Sequence, residues 1–182
     1  MDLPVQHSSN KIRKKMGRKG TREEIIDVIS RLRQNIPDIA LRTSLIVGFP
    51  GETEEDFKDL LNFIKKVKFE RLGVFKYSRE ENTEAASFGN QIEESVKEQR
   101  YKKIMQVQQE ISLNTNEQFL NETLPVIIDE VYDDYAVGRS EYDAPEIDNQ
   151  IIIKNTELTP GNFIKCKMVE AYEYDLVGEI IS

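Results

Sequence analysis

The feature that most constrains this fold is an apolar strand that runs through a glycine-rich turn straight into a helix. Residues 39–49 become continuously apolar at Leu45-Ile46-Val47, and strands of that kind are usually covered on both faces, as in parallel sheets. The turn is Gly48-Phe49-Pro50-Gly51, and Thr53 with Asp56 matches the capping box that opens a helix. A parallel strand followed directly by a helix predicts an α/β arrangement.

Two further strand–helix units flank this one. The run Leu3–His7 is predicted to be a short strand end, and a basic, solvated loop over 10–20 separates it from the next helix. Thr21 and Glu24 fit a capping box at the start of that helix. Residues 71–77 are predicted to form a third strand, and a long helix follows from about Ser95. Repeats of this length imply parallel strands joined by crossover helices.

Three strand–helix units do not close a barrel or complete a doubly wound sheet. A parallel sheet cut short in this way leaves unpaired backbone edges and exposed apolar faces. The sequence therefore predicts the C-terminal part of a longer protein. A second copy of the chain that covers the exposed faces, and hence a homodimer, is the accompanying prediction.

After about Glu122 the pattern changes to short segments rich in β-branched and aromatic residues. Such segments, separated by turn residues, predict a small antiparallel β-barrel. We therefore expect two domains, 1–119 and 120–182. The predicted strands are Leu124–Val131, Tyr135–Arg139, Gln150–Lys154, Phe163–Tyr172 and, as a fifth, Asp175–Ile181.

Charge divides the chain in nearly the same place. Residues 1–110 carry 21 Lys and Arg against 18 Asp and Glu, a net charge of +3, whereas residues 111–182 carry 4 against 15, a net charge of −11. An acidic unit is a poor match for nucleic acid, because binding to phosphates requires Lys and Arg. It suits a basic protein partner better, although a solubilising acidic surface explains the same composition.

Several classes of protein are excluded by composition. No apolar run approaches the length of about eighteen residues that a membrane-spanning helix needs, and Met1-Asp2-Leu3-Pro4 does not resemble a secretory signal. The single cysteine, Cys166, excludes an internal disulfide and any iron–sulfur or zinc site built from this chain's own thiolates. A cytoplasmic location is therefore expected.

The carboxyl ends of the predicted strands hold the candidate ligand-binding residues, since ligands of α/β proteins bind there. The turn that starts at Gly48 lets a ligand approach the backbone, although a tight strand-to-helix turn needs the same glycines. Arg42, by contrast, is predicted in the middle of its strand, on the same face as Ser44. Inside a barrel it would suit a ligand carboxylate, or alternatively an internal ion pair. Lys76 and Tyr77 end the third strand at the same rim.

The sequence offers no candidate for a catalytic acid, base or nucleophile. His7, beside Gln6, is the only histidine, so neither a catalytic triad nor a histidine metal site is available, and a structural role is favoured. Cys166 lies in a predicted strand with no base near it, and we expect it to be a small core residue.

Two sets of sequence motifs point to a known family. The first set is Asp2–His7, Met16–Glu24, Leu41–Phe57 and Phe75–Thr83; the second is Val137–Arg139 with Tyr142–Asp148, and Ala171–Gly178. The first set resembles the radical SAM methylthiotransferases, and the similarity covers nearly the whole chain. The second set resembles the RimO-type branch of that family, which adds a methylthio group to an aspartate of the twelfth small-subunit ribosomal protein.

The resemblance implies the second half of a radical SAM partial barrel, with three βα units, followed by a TRAM barrel. It also implies S-adenosylmethionine and 4Fe-4S clusters as cofactors of the whole enzyme, which forms a 5′-deoxyadenosyl radical. The family's cluster cysteines are absent from this chain, so we expect no activity from it alone and no metal ligand within it. Its partners would be the missing N-terminal part and a basic ribosomal protein docked on the acidic TRAM domain.

Residue roles follow from the same resemblance. The strand end at Val47, Gly48 and Phe49 matches the segment that lies along the adenine of the cofactor. Arg42 matches an arginine that faces the cofactor pocket, and Gln6 with His7 matches an earlier strand end that lines it. We assign substrate contacts to the residues Lys76, Tyr77 and Arg139.

Two alternatives remain open. The transfer-RNA branch of the same family adds methylthio to an adenosine, and its TRAM domain should carry more basic residues than the few present here. A non-catalytic TRAM binding module on half a barrel is the alternative from a different functional class.

Overall fold

The chain folds as two compact units, Met1–Gln108 and Gln109–Ser182. No described helix is both long and apolar enough to cross a membrane. Glu146, within the branch-specific run Val137–Asp148, lies outside the described residues. The computed structural model describes residues 1–145, 147–154 and 157–181.

The first unit alternates helices with parallel strands, as the sequence predicts. A 3₁₀ turn at Glu84–Ser87 precedes its last helix, and that helix extends past the boundary into the second unit. The elements in chain order are α1 (Asn10–Lys15), α2 (Arg22–Asn35), β1 (Arg42–Val47), α3 (Glu54–Val67), β2 (Arg71–Lys76) and α4 (Glu94–Glu117).

Strand β1 is the centre of a parallel sheet. It pairs with β2 from Arg42 opposite Arg71 to Val47 opposite Lys76. The segment 1–7 runs parallel along the other edge of β1, where bridges join Asp2 to Arg42 and Gln6 to Leu45. The three predicted strands therefore lie side by side in one parallel arrangement.

The first of these three segments is an irregular strand, for a local reason. Pro4 has no N–H to donate, and the Val5 N–H donates to the Thr43 hydroxyl at 3.3 Å instead of to a backbone carbonyl. Gln6 has a φ of 67°, a left-handed conformation that regular strands do not contain. The backbone hydrogen bonds of the segment to β1 are made by Met1, Leu3 and Gln6, on either side of Pro4 and Val5.

The predicted basic loop over 10–20 is wrong in its first half. Residues 10–15 form helix α1, and the guanidinium of Arg13 is buried, 5% exposed. Its N–H groups donate to four backbone carbonyls, which are those of Val5, His7, Lys19 and Gly20. A buried arginine that satisfies carbonyl groups is not visible in sequence, because its neighbours in space are not its neighbours in the chain.

Both predicted capping boxes are confirmed. Thr21 and Glu24 exchange side-chain and backbone hydrogen bonds at the start of α2, and Thr53 and Asp56 do so at the start of α3. Helix α3 buries a regular apolar face consisting of Phe57, Leu60, Phe63, Ile64 and Val67. These local signals fix where each helix begins.

The second unit is a closed five-stranded barrel. Its strand order around the barrel is β3-β4-β5-β7-β6. The strands are β3 (Thr123–Val131), β4 (Ala136–Arg139), β5 (Gln150–Ile153), β6 (Phe163–Ala171) and β7 (Asp175–Ile180).

The predicted barrel is confirmed, with one difference in strand direction. Four of its neighbouring pairs are antiparallel, but β5 and β7 are parallel. Five strands cannot alternate direction all the way around a closed ring, so at least one pair must be parallel. Closure satisfies the backbone groups that an open edge would expose.

Alternating side chains of the strands fill the barrel interior. Gly138 is required there, because a Cβ at this position would lie 2.4 Å from the carbonyl oxygen of Ile127 on the neighbouring strand. The buried core contains Leu124, Val126, Ile128, Ala136, Ile151, Ile153, Cys166, Met168 and Leu176.

Candidate functional site

The carboxyl ends of the three parallel segments bring most of the predicted cofactor residues together. The segment that ends at His7, strand β1 and strand β2 run in the same direction, so their ends lie at one edge. Tyr77 joins this edge through a 2.9 Å hydrogen bond from its N–H to the carbonyl of Val47. We refer to this region as the strand-end edge.

His7 is fully buried and is held at both ring nitrogens. Its Nδ1 accepts a hydrogen bond from the Ser9 N–H at 2.9 Å, and its Nε2 lies 3.4 Å from a carboxylate oxygen of Glu52. A ring nitrogen that accepts from a backbone N–H carries no proton, so Nε2 carries the proton and donates it to Glu52. The imidazole is therefore a neutral structural donor.

Glu52 is the centre of a buried polar cluster that also contains Gly48, His7 and Arg100. It is 2% exposed, and one carboxylate oxygen accepts from the Gly48 N–H and lies 3.1 Å from Nη1 of Arg100. That guanidinium is also buried and stands over the ring of Phe57, 5.4 Å from its centroid. The pairing of charges and the hydrogen bonds offset the cost of removing both ions from water.

Gly48 is needed for its backbone conformation and for close packing. Its φ is 74°, and an added Cβ would lie 2.3 Å from Cγ of Lys97. The ammonium of Lys97 donates to the carbonyl of Tyr77 at 2.9 Å. The turn after β1 is therefore covered by the aliphatic part of a lysine from α4.

Phe49 occupies an aromatic cluster beneath this edge. Its ring packs edge-on against Tyr77, with centroids 5.2 Å apart, and against Phe88 at 6.2 Å. It is 5% exposed, and Val47 is fully buried. Their side chains are already in contact with protein, so any role toward the predicted adenine falls to the backbone of this segment.

Arg42 does not lie at the strand-end edge. It begins β1, whereas Gly48 follows the last residue of that strand, and five residues of strand span about 16 Å. Arg42 shares a partly exposed face of β1 with Ser44 and Ile46. Gln6 reaches the same face, because its side-chain amide donates to the Ser44 hydroxyl at 3.1 Å.

The predicted substrate residues have mixed surroundings. Lys76 is exposed and forms a 2.9 Å ion pair with Glu98 of α4, and this partner raises the pKa of Lys76. Tyr77 is half-buried, and its hydroxyl has no hydrogen-bond partner among the described residues. Arg139, in the barrel, forms an ion pair with Asp129.

The residues at this edge suit a polar organic ligand such as the predicted S-adenosylmethionine. A buried hydroxyl without a partner is uncommon in proteins, and Tyr77, whose ring packs against Phe49 of the turn after β1, carries one. The side chain of Gln6 and the open face of β1 supply further polar groups. These residues, together with the backbone at Gly48, would line such a ligand.

An iron–sulfur cluster does not fit the residues of this chain. Cys166 lies in the barrel core with no exposed surface, and burial raises the pKa of its thiol to about 11, whereas cluster ligands are thiolates. Within the described ranges no group of His, Cys, Asp and Glu is placed to hold a metal ion. The expectation that Cys166 is a core residue is confirmed.

Asp56 supports the edge from the start of α3. Partial burial acts to raise its pKa, but hydrogen bonds from Thr53, Ser9 and Lys11 outweigh that effect and lower the pKa to about 2. The Ser9 hydroxyl donates to this carboxylate at 2.7 Å. One side chain thus caps α3 and ties it to the residues that follow His7.

Sequence reasoning missed three residues of this site, namely Glu52, Lys97 and Arg100. Glu52 follows the glycine turn and resembles an ordinary surface residue of a helix start, while Lys97 and Arg100 lie about fifty residues further along the chain in a polar helix. Only the packing of α4 against the turn brings them together.

Comparison with known sequences identifies both parts of the chain. Residues 1–64 match the profile of the radical SAM superfamily, and residues 122–181 match that of the TRAM domain. The first match falls on the unit with the parallel sheet and the second on the closed barrel described above.

Curated relatives match the chain from end to end. The chain is 49% identical to the ribosomal protein uS12 methylthiotransferase RimO of Petrotoga mobilis over 99% of its length, and 51% identical to the protein of that name from Carboxydothermus hydrogenoformans over 100%. The corresponding protein of Geobacter sulfurreducens is 46% identical.

The chain spans about two fifths of the length of these relatives, with 42%, 42% and 41% of each covered. The match falls on their C-terminal part. With the radical SAM profile at its start, the TRAM profile at its end and relatives aligned throughout, the chain belongs to the radical SAM methylthiotransferases.

Proposed function

We propose that this chain is the C-terminal part of an enzyme that adds a methylthio group to an aspartate of ribosomal protein uS12. The observation that carries the proposal is the identity of 46–51% to relatives whose names specify that substrate, maintained over at least 99% of the chain. The cytoplasm, where ribosomal proteins are assembled and used, is the compartment that this function requires.

The part of the enzyme present in this chain binds and positions, and it does not supply the redox centre. When bound at the strand-end edge, S-adenosylmethionine would supply the radical chemistry that the family's name denotes. Gln6 would contact it through its half-buried amide, and the segment Val47–Phe49 would present its backbone. Glu52 and Arg100 keep that backbone in place. The cluster thiolates must come from other residues of the whole enzyme.

The second unit, in this proposal, docks the ribosomal protein. Residues 111–182 have a net charge of −11, and complementary charge steers a basic partner toward an acidic surface. We assign residues 120–182 to the TRAM domain and residues 1–119 to the radical SAM part. Arg139 contributes to docking only if its ion pair with Asp129 exchanges for a substrate carboxylate.

A reconstitution experiment tests the substrate. The chain is joined to the preceding region of the Petrotoga mobilis relative, which is expected to carry the cluster cysteines, and is assayed on purified uS12 and on transfer RNA. We expect a methylthio group to replace one hydrogen of uS12, seen as the corresponding mass increase, and the chain alone to give no product. Modification of transfer RNA with none of uS12 would assign the enzyme to the transfer-RNA branch instead.

The same assay addresses the non-catalytic alternative. A binding module would retain affinity for uS12 in the joined protein without modifying it.

The predicted homodimer is tested separately by sedimentation of the chain, for which Phe75 on β2 is informative because it is 60% exposed. Phe75→Ser should shift a dimer toward monomer, and a wild-type chain that is monomeric at tens of micromolar would refute the dimer.

A further inference from the structure

Four cationic side chains lie together on one short segment of the first unit. They follow one another within α1 and the turn after it, and all are exposed. Within residues 1–145, 147–154 and 157–181 none of them forms a hydrogen bond or an ion pair through its side chain. They are Lys14, Lys15, Arg18 and Lys19, and we call them the basic rim.

The segment that carries the basic rim is held in place by a buried residue, Arg13. Arg13 donates to the carbonyls of Val5, Lys19 and Gly20, so both ends of the segment are tied to the start of the parallel sheet. Lys15 lies against the turn after β1, because a Cβ on Gly51 would be 2.6 Å from its ammonium. The charges are therefore displayed from a fixed backbone rather than from a loose loop.

The carboxylates nearest in sequence and space have other partners. Glu24 closes the capping box of α2 through the Thr21 N–H at 2.7 Å. Asp56 caps α3 and pairs with Lys11 at 3.3 Å, and Glu23 accepts from Asn10 at 3.2 Å. Because these carboxylates are engaged elsewhere, they form no ion pair with the four cations among the described residues. Burial lowers the pKa of Arg13, and the charge of Arg18 lowers it further.

We infer that the basic rim binds the phosphate backbone of RNA. This inference rests on the proposed function, because a ribosomal protein is held in a particle made largely of RNA, and an enzyme that reaches it meets phosphates. Fixed Lys and Arg side chains without acidic partners are the groups that neutralise phosphate charge. In this inference the acidic unit binds the ribosomal protein and the basic rim binds RNA.

The negative net charge of the chain opposes RNA binding, which makes the test of this inference strict. With a net charge of −8, the protein as a whole repels a polyanion, so measurable affinity requires a local positive site. Backbone contacts carry no base information, and therefore the rim should bind RNA of any sequence.

Fluorescence anisotropy with a labelled RNA hairpin tests the inference on the 182-residue chain. We expect a Kd of about 1–100 µM at low salt, and a slope of log K against log salt of about −3, since each of four phosphate contacts contributes roughly −0.7 to −0.9. Lys14→Gln combined with Lys15→Gln should make the slope shallower by about 1.5 and weaken binding equally for unrelated hairpins.

A matched control is available on another helix. Lys65 and Lys66 are an adjacent, exposed lysine pair in the last turn of α3, as Lys14 and Lys15 are in the last turn of α1. Lys65→Gln combined with Lys66→Gln makes the same change in net charge. We expect it to leave the slope within about 0.3 of wild type, and circular dichroism should show both double variants folded.

Each outcome decides the inference. No binding by the wild type at low salt, or equal loss in both double variants, would overturn it. A rim variant that alters sedimentation while RNA binding persists would show that the rim contacts the acidic unit of a second copy instead. If RNA binding fails while the joined enzyme modifies uS12, only the rim is wrong; if RNA binds but uS12 is not modified, the proposed function is wrong.

Discussion

The two units solve the problem of unpaired strands differently. In the first unit, segment 1–7 and β2 each pair only with β1 among the described residues, so the parallel sheet has two outer edges. In the second unit all five strands have two neighbours and form a ring. In the barrel each strand edge is paired, whereas the outer edges of the parallel sheet have backbone groups that could pair with further strands.

Their interiors differ as well. The barrel core consists of apolar side chains and one cysteine, while the first unit buries a carboxylate, a guanidinium and an imidazole at the strand-end edge. An apolar core stabilises by removing surface from water, but a buried ionic cluster specifies geometry at a cost in desolvation. The comparison shows that the apolar core stabilises the barrel, whereas the buried ionic cluster fixes the geometry of the strand-end edge.

The largest effect is expected from breaking the ionic cluster. Glu52→Ala leaves Arg100 buried without its carboxylate and removes the acceptor of the Gly48 N–H. We expect a loss of about 3–5 kcal/mol in the free energy of unfolding of the first unit, measured by hydrogen exchange of β1.

Glu54→Ala provides the control, because Glu54 faces the same arginine at 3.7 Å but is 66% exposed. It should cost less than about 1 kcal/mol. Equal losses in the two variants would show that burial of the cluster does not matter. With a single histidine in the chain, nitrogen NMR of Glu52→Gln should still show His7 in the Nε2–H form, because the Ser9 N–H continues to donate to Nδ1.

The next largest effect concerns the barrel. Gly138→Ala places a methyl group 2.4 Å from the Ile127 carbonyl, and backbone cannot move aside as a flexible side chain can. We expect a loss of about 1–3 kcal/mol from overpacking, detected as earlier exchange of the β3 and β4 amides in urea.

The first unit supplies the matched substitution. Gly89→Ala adds the same methyl group where nothing lies within 4 Å, so it should change stability by no more than about 0.5 kcal/mol. A Gly138→Ala protein as stable as Gly89→Ala would mean that β3 and β4 are further apart than described.

A smaller effect is expected from acid on the first unit alone. The pKa of Asp56 is lowered from its ordinary value of 3.8 to about 2, so its carboxylate stabilises the folded form at neutral pH. This stabilisation is complete above about pH 4 and is lost as the pH falls toward 2.

Asp56→Asn removes the ionised group and tests the direction of this dependence. The difference in unfolding free energy between wild type and variant should shrink from pH 5 to pH 2 for β1 amides and stay constant for barrel amides. Asp59→Asn, at a carboxylate that is 61% exposed, should show little change. A constant difference for Asp56→Asn would exclude the lowered pKa.

The smallest effect is chemical rather than energetic. Burial raises the pKa of the Cys166 thiol to about 11, and only the thiolate reacts readily. The native protein should therefore resist iodoacetamide at pH 8, while protein unfolded in urea should react within minutes. Rapid labelling of the native chain would show that the barrel opens easily, and would remove the contrast between the two units.

Local signals in the sequence predicted most of the fold. The two capping boxes, the turn after Val47 and the β-branched segments after Glu122 all lie where predicted. They could be predicted because caps and strand periodicity depend on neighbours within a few residues. Helix α1 was missed, since its basic sequence lacks an apolar stripe and its stability depends on the burial of Arg13.

The candidate site was predicted less completely. Gln6, His7 and the turn at Gly48 were placed at one edge, whereas Arg42, predicted in the middle of a strand, is the first residue of β1. Strand direction and length separate Arg42 from Gly48, and a resemblance in sequence does not show that distance. The cluster around Glu52 joins residues about fifty positions apart, and no local pattern indicates such a contact.

The sequence by itself determined the order of the elements, the separation into two units of opposite charge, the family and the lack of cluster thiolates, because these depend on composition and on short-range periodicity. The tertiary structure alone decided which ionisable groups are buried together and which cations remain without partners. Burial and pairing depend on what packs against a side chain, and packing is a property of the folded chain.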